Sequence, residues 1–400
     1  MKIAVFDAVG TYFSAPTLRC MLEEFDRAGC EVDVYLRLGG GRLGEISRAQ
    51  ARPFPVPLRA WCGDWENTLR QWKWYLKYRG CTGRRALDSR RYDLAIGLNP
   101  EGVVAAHRYW KRTGTPFVYL SFELFFRDEL RQEGLRRFKE EEVAASRDAA
   151  MVITQDEWRA GLLSAENKVP LEKMAFLPVA PRGSDLPSRT DYLREKLGIS
   201  ASQTVVLHAG SFTHFTCAHE IMDTLPQWPE GFVLVVNTPY SAHADDPFLK
   251  RLQEVGGSRV RLTSGNKSAE EYGELVRSAD IGLALYQPDQ AAGGGINDIF
   301  SGRNIQTMGL SSGKLAMFAC NGVPLVCGGN PALKELLRPC RFGEYADAVG
   351  QLPGCLARIR ARRSEYACEA RRFFEESLDF NRFWPEIWRQ MIEKTSGQND

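Results

Sequence analysis

Short apolar runs alternate along the chain with longer segments of helical periodicity. Residues 3–9 form an apolar run interrupted by Asp7 and closed by Gly10, and residues 16–28 predict a helix closed by Gly29. Residues 32–36 read as a strand. Residues 92–98 (YDLAIGL) read as a buried strand, then an Asn99-Pro100 turn, then a helix over 102–111. A strand at 116–121 (PFVYLS), a charged amphipathic helix at 127–147 and a strand at 149–154 follow. Strands separated by helices of ten or more residues imply βαβ units and a parallel sheet.

Residues 178–188 (PVAPRGSDLPS) are rich in Pro, Gly and Ser and mark a linker. The alternation then restarts. Strands are expected at 205–207 running into HAGS, at 232–236 ending at Asn237, and at 260–262 ending at Ser264-Gly265. Two more are expected at 281–285 ending at Tyr286 and at 324–327 ending at Gly328-Gly329. Residues 361–394 read as helical and carry Phe373, Phe374, Phe380, Phe383, Trp384 and Trp388. Two doubly wound α/β domains joined by the linker are the simplest architecture. In such sheets ligands bind at the carboxyl ends of strands, so the residues just after each strand are the ones to read chemically.

Composition narrows the class. With 52 basic and 50 acidic residues in 400, the net charge of +2 carries no overall nucleic-acid signature. No apolar run approaches the ~18 residues of a membrane span. The ten cysteines form no CxxC pair, which suits reduced thiols and a cytosolic compartment. The opening MKIAVFDAV begins a strand at once and leaves no room for a signal peptide.

The most informative stretch is 309–326, GLSSGKLAMFACNGVPLV. Ser311, Ser312 and Gly313 are expected at a helix N-terminus, where backbone N–H groups and the helix dipole favour an anion. Lys314 adds a positive charge in the first turn, which is electrostatically wrong for the helix itself and hints at an anionic ligand. Ser-Ser acting only as a helix cap is the alternative.

SSGKLAMFACNGVPLV resembles the donor-site helix of GT-B glycosyltransferases, most closely the retaining group 1 or family 4-like type, in which a Ser, a Lys and a later Gly-x-Pro recur in this order. RDAAMVITQDEWRAGLLS and PLEKMAFLPVAP resemble the end of that family's acceptor domain, and VVLHAGSF the glycine-turn strand that opens its donor domain. YGELVRSADIGLALYQP resembles the stretch between base-binding and diphosphate-binding strands, and the aromatic terminal helix the one that crosses back to the first domain.

The resemblance implies an acceptor-binding Rossmann-like domain over 1–182, a nucleotide-sugar-binding one over 183–375, facing it across a cleft, and a returning helix over 376–400. It implies metal-independent transfer of a sugar from a UDP- or GDP-sugar, with no further cofactor, to a glycan, lipid-linked or other hydroxyl acceptor. Surface polysaccharide or glycoconjugate synthesis is the expected setting. It also marks departures. Many retaining members carry glutamates where this chain has Gly309 and Met317, the second commonly holding ribose, and an Asp-x-His-Glu pattern where this chain has Leu120-Ser121-Phe122-Glu123.

Glu123 and Glu101 each follow a strand end and are candidate catalytic carboxylates, the alternative being helix-start glutamates favoured by the dipole. Gly10, Thr11 and Tyr12 follow the first strand and are placed against the acceptor. Gly210, Ser211, Thr213 and His214 hold the matching place in the second domain as donor contacts, with Asn237, Gly265 and Asn304. His208, His214, Cys217 and His219 match no zinc-finger spacing, so no metal is expected there. Residues 293–297 (GGGIN) read as a donor lid or a plain loop, and Asp245-Asp246 is discounted as a metal pair.

Charge is uneven along the chain. Residues 42–91 hold twelve Lys/Arg and four Asp/Glu. Within 65–85, Trp65, Leu69, Trp72 and Leu76 share one helical face that reads as core. The interleaved Arg70, Lys73, Lys77 and Arg79 suit either a solvated face or peripheral contact with an anionic membrane over 65–91. No nucleic-acid partner is expected. Two rival readings stand beside transfer: a sugar-nucleotide epimerase on the same fold, and a non-catalytic sugar-nucleotide or glycan-binding partner protein motivated by the missing glutamates.

Overall fold

The computed structural model describes residues 1–8, 15–36, 49–53, 90–130, 133–183, 189–238, 247–265, 267–287 and 302–396. These residues fall into two compact units. The first lies within Met1–Arg182 and Phe380–Asp400, the second within Gly183–Ala291 and Ser301–Asp379.

The first unit holds strands β1 (Lys2–Asp7), β2 (Glu31–Leu36), β3 (Ala49–Pro53), β4 (Leu94–Leu98), β5 (Phe117–Leu120), β6 (Met151–Thr154) and β7 (Met174–Phe176). Its described helices are α1 (Pro16–Arg27), α2 (Asn99–Thr113), α3 (Glu133–Asp148) and α4 (Glu157–Asn167). The second unit has α5 (Tyr192–Leu197), β8 (Thr204–Ala209), α6 (Ala218–Thr224), β9 (Phe232–Thr238), α7 (Pro247–Gly256), β10 (Val260–Ser264), α8 (Ala269–Arg277) and β11 (Ile281–Leu285). It continues with α9 (Arg303–Gln306), α10 (Gly313–Cys320), β12 (Leu325–Gly328), α11 (Pro331–Leu337), β13 (Gly343–Ala346), α12 (Leu352–Ala361) and α13 (Arg363–Ser377). The last helix, α14 (Phe380–Ser396), returns to the first unit.

The sheet orders are β3-β2-β1-β4-β5-β6-β7 and β10-β9-β8-β11-β12-β13, and the strand pairs in both are parallel. Each sheet is doubly wound. The order reverses between β1 and β4 in one unit and between β8 and β11 in the other. Those reversals open a crevice beyond the carboxyl ends of the strands.

Strand pleat separates two cores in the first unit. Ile3 and Val5 face α1, while Ala4 and Phe6 face α2 and Tyr109. The first core is closed by α14: Phe25 packs edge-on to Trp384 at 5.6 Å and against Trp388 at 5.3 Å, with Phe380, Ile387 and Met391 in the same cluster. The helical stretch expected over 361–394 is therefore two helices. They divide at Leu378-Asp379, where Asp379 Oδ1 accepts from the Gly183 N–H at 2.8 Å and the Phe380 N–H donates to Pro181 O.

A charged knot lies inside the first unit. Lys139 Nζ donates to Glu142 Oε2 at 2.9 Å and to Asn167 Oδ1 at 2.7 Å. The other Glu142 oxygen accepts from Tyr119 OH and Asn167 Nδ2, both at 3.0 Å. Lys139 and Glu142 are 2% and 1% exposed, so every charge here is answered by protein. In the second unit Asp280 collects Arg189, Arg194 and Arg363 together with the Val205 N–H at 2.8 Å.

Three local readings are corrected. The 127–147 helix is a short 3-10 turn at Arg127–Glu129 followed by α3. The Asn99-Pro100 turn is instead the first turn of α2. Pro suits that position because its missing N–H is unneeded there. Strands β3, β7 and β13 were not foreseen.

Candidate functional site

In the second unit, the loop after β8 and the end of β11 meet the start of α10. Gly210 leaves β8 with φ +109, a conformation that L side chains rarely adopt, and its N–H donates to Asn237 O at 2.9 Å. A Cβ on Gly210 would sit 3.2 Å from Lys314 Cε, so the bare backbone makes room for the lysine. The underside of Lys314 is Tyr286, whose ring centre lies 5.7 Å from Nζ. Tyr286 OH pairs with Ser312 Oγ at 3.0 Å. Helix α10 lies flat on β11 because Gly282 leaves space for the Phe318 ring, which a Cβ there would meet at 2.6 Å.

Lys314 Nζ is shielded from solvent and makes no hydrogen bond. Burial lowers its pKa from 10.5 to about 8, while the nearby Cys217 thiol acts weakly the other way. An unpaired buried ammonium is costly unless something answers it. His208, beneath the same loop, is fully buried. Burial first, and Lys314 second, hold it well below the usual histidine range and therefore neutral. Its Nε2 donates to Ser211 O at 3.0 Å, and its Nδ1 has no hydrogen-bond partner.

Ser311 and Ser312 differ from expectation. Their N–H groups bond Met308 O at 2.7 Å and Gly309 O at 3.3 Å in a 3-10 turn. The Ser312 side chain caps α10 by accepting from the Leu315 N–H at 3.2 Å. The capping alternative therefore holds for Ser312. The anion-facing backbone moves to Gly313 and Lys314, whose N–H groups sit in the first turn and have no acceptor one turn back.

The remaining donor candidates are spread along the strand ends. Asn237, at the end of β9, is 3% exposed with Oδ1 unpaired. Gly265 follows β10 with φ +92. Asn304 is 2% exposed in α9. Thr213 precedes the 3-10 turn His214–Thr216, and its N–H donates to Thr216 Oγ1 at 3.0 Å. His214 stands exposed, its ring 4.6 Å from that of His219. Three participants were not foreseen: Glu220, Gln287 and the Tyr286 ring. Gln287 Nε2 donates to Glu220 Oε1 at 2.7 Å, and its N–H donates to Phe215 O at 2.9 Å. The signal available for them was position alone, since Tyr286-Gln287 ends a central strand.

Gly329 fixes this edge. With φ +67, a Cβ would fall 1.6 Å from Tyr286 O. Gly329→Ala is expected to cost about 3 kcal/mol or more, roughly 6–12 °C in the melting of the second unit, measured by calorimetry.

In the first unit, Asn99 adopts φ 55, which Asn tolerates, and its Oδ1 accepts from the N–H groups of Phe122 and Glu123 at 2.9 and 3.1 Å. Buried Arg159 and Gln155 hold the same loop by donating to Phe122 O and Ser121 O, both at 2.7 Å. Glu123 is half-buried and Glu101 8% exposed, both at the carboxyl edge of the sheet. Gly10, Thr11 and Tyr12 lie outside the described residues, as do 293–297, Asp245-Asp246 and the 65–85 segment. Among the described residues no His, Cys, Asp and Glu group could hold a metal ion. No described helix is long and apolar enough to cross a membrane.

Residues 14–180 match the glycosyl transferase 4-like domain family. The solved structure of Anabaena Alr3699/HepE in complex with UDP superposes with a TM-score of 0.68 at 15% identity, covering 98% of this chain and 100% of that one. WaaG, a glycosyltransferase involved in lipopolysaccharide biosynthesis, gives 0.65 at 16%, over 96% and 98%. Sucrose-phosphate synthase from Thermosynechococcus elongatus gives 0.66 at 15%, over 98% and 99%. Among curated proteins none matches. The two parallel sheets and these structural neighbours define a two-domain α/β fold of the GT-B type.

Proposed function

We propose that this protein is a glycosyltransferase that moves a sugar from a nucleotide-sugar to a glycan, lipid-linked or other hydroxyl acceptor. The observation that carries the reading is Lys314: a buried, unpaired ammonium in the first turn of a helix at the point where the sheet order reverses. The ligand this edge suits is a diphosphate. UDP-complexed HepE, a neighbour in fold, supports a nucleoside diphosphate, UDP or GDP.

In the reaction the bond from the sugar anomeric carbon to the diphosphate oxygen breaks, and a bond from that carbon to the acceptor oxygen forms. The acceptor proton passes to a carboxylate, Glu123 or Glu101, if the anomer inverts, or to the leaving phosphate if it is retained. Charge grows on the departing diphosphate. Lys314 and the start of α10 stabilise it more than they stabilise the ground state, which is what accelerates transfer without calling on a metal. Gly10, Thr11 and Tyr12 are assigned to the acceptor side. Surface polysaccharide or glycoconjugate synthesis at the cytoplasmic face of a membrane is the proposed setting, with the 65–91 segment as the membrane contact.

Thermal shift with a panel of nucleoside diphosphates and their sugars tests the donor site. A selective upward shift with UDP or GDP, lost in Lys314→Ala, is expected. No shift with any of them sinks the donor reading. It would leave the non-catalytic partner protein, which Gly309 and Met317 in place of the family's glutamates favour. Turnover of donor to its epimer without acceptor would instead identify an epimerase.

A further inference from the structure

The unpaired buried atoms at the carboxyl edge of the second unit are chemically one-sided. Lys314 Nζ is a donor and the Thr213 hydroxyl can donate or accept, whereas Glu220 Oε2, Gln287 Oε1, Asn237 Oδ1 and His208 Nδ1 are acceptors. A diphosphate offers only acceptors, so it can answer the lysine and the Thr213 hydroxyl but none of the four acceptors.

Glu220 and Gln287 form the most defined group. A carboxylate can only accept, so the Gln287 amide turns its NH2 to Glu220 Oε1 at 2.7 Å, which points its own Oε1 elsewhere. One bond therefore leaves two acceptor oxygens, Glu220 Oε2 and Gln287 Oε1, shielded from solvent and without a hydrogen-bond partner. The pair is built rather than fortuitous. The Gln287 N–H is locked to Phe215 O at 2.9 Å, and Glu220 is fixed on α6. It shares neighbours with the lysine. Gln287 follows Tyr286, whose ring lies beneath Nζ, and the Cys217 thiol feels both the Glu220 carboxylate and the Lys314 ammonium.

Two acceptors on hydrogen-bonded side chains suit the vicinal hydroxyls of a ligand. Met317 on α10 offers no oxygen for them.

Resting on the nucleotide-sugar reading, we propose that Glu220 and Gln287 form the diol-binding subsite of the donor pocket, Glu220 Oε2 and Gln287 Oε1 accepting from vicinal hydroxyls of the ribose or of the transferred sugar. The subsite sets donor specificity and stands on α6 and β11, apart from the helix that carries Lys314.

Isothermal titration of UDP, GDP, their 2′,3′-dideoxy forms and UDP-glucose tests it, on the native chain, Glu220→Gln, Gln287→Met and Lys314→Met. The amide at position 220 still accepts from Gln287 Nε2, so the loop is kept. Removing the charged acceptor is expected to weaken diol-bearing nucleotides about ten- to a hundredfold, with the dideoxy forms unchanged. That pattern places the ribose in the subsite. Loss confined to UDP-glucose, with UDP unchanged, places the transferred sugar there. Gln287→Met is expected to show the same selectivity more weakly.

Equal weakening of diol and dideoxy ligands by Glu220→Gln, or none at all, overturns the subsite. Lys314→Met should weaken every ligand alike. If the native chain binds none of them, or Lys314→Met changes none, the nucleotide reading has failed and the subsite falls with it.

Discussion

Lys314→Met is expected to do two opposite things. Activity falls by about 10²–10³-fold in kcat/KM, the usual cost of removing one preorganised charge partner from a developing anion. Stability rises. Folding holds the ammonium in a site where its pKa is about 8 instead of 10.5, so the unfolded chain binds the proton more tightly. Between those values the unfolded state carries more protons, and stability of the native chain increases with pH. Below about 8 the full penalty, roughly 3 kcal/mol, is present, and the methionine variant is free of it. Calorimetry at pH 7 should therefore show the variant melting above the native chain, with the gap closing as pH climbs from 8 toward 10.5. Diphosphate binding runs the other way and weakens about tenfold per pH unit once the free site loses its proton above about 8. A variant that loses activity and also melts lower would show that Lys314 serves packing instead.

Lys139→Met is the second large effect and touches stability alone. It leaves the Glu142 carboxylate inside the first unit with Tyr119 and Asn167 as its partners but no counter-charge. Breaking such a pair from one side costs about 3–5 kcal/mol, whereas replacing both members by apolar groups is often near neutral. For a unit of this size that is roughly 6–20 °C in melting temperature. Lys139→Met combined with Glu142→Leu should recover much of the loss. Failure to recover would assign the effect to shape, since the side-chain volumes are retained in both variants.

The strands that line the two reversal points were legible because they are buried on both faces and read as unbroken apolar runs, such as LAIGL in β4 and IGLAL in β11. Of the edge strands, β10 was read at 260–262, but β3, β7 and β13 were not. AQARP in β3 and GEYA in β13 mix polar residues into four or five positions and look like loop until a neighbouring strand pairs with them. The start of α2 was misplaced because Asn99 and Pro100 signal a turn as strongly as a helix start, and only the Asn99 bonds to the 122–123 backbone decide between them.

Within the site, Lys314 stood out because a lysine in a first helical turn opposes the dipole. Ser311 and Ser312 have the right residue types but spend their N–H groups on the preceding turn. Glu220, Gln287 and the neutral His208 carried no local signal. What marks them is the side-chain atoms that folding buries and leaves unanswered, and a linear pattern cannot show that.

The return of α14 bears on synthesis as well as on the native fold. The first unit is translated almost completely by Arg182, yet the aromatic residues that cover Phe25 arrive with Phe380, Trp384 and Trp388. At about 5–20 residues per second the ribosome needs roughly 10–40 s to cover that gap. Throughout that interval the nascent domain presents Leu18, Met21 and Phe25 bare, a surface open to chaperones. Emergence of α14, rather than of residues 1–182, is the event that completes its hydrophobic interior.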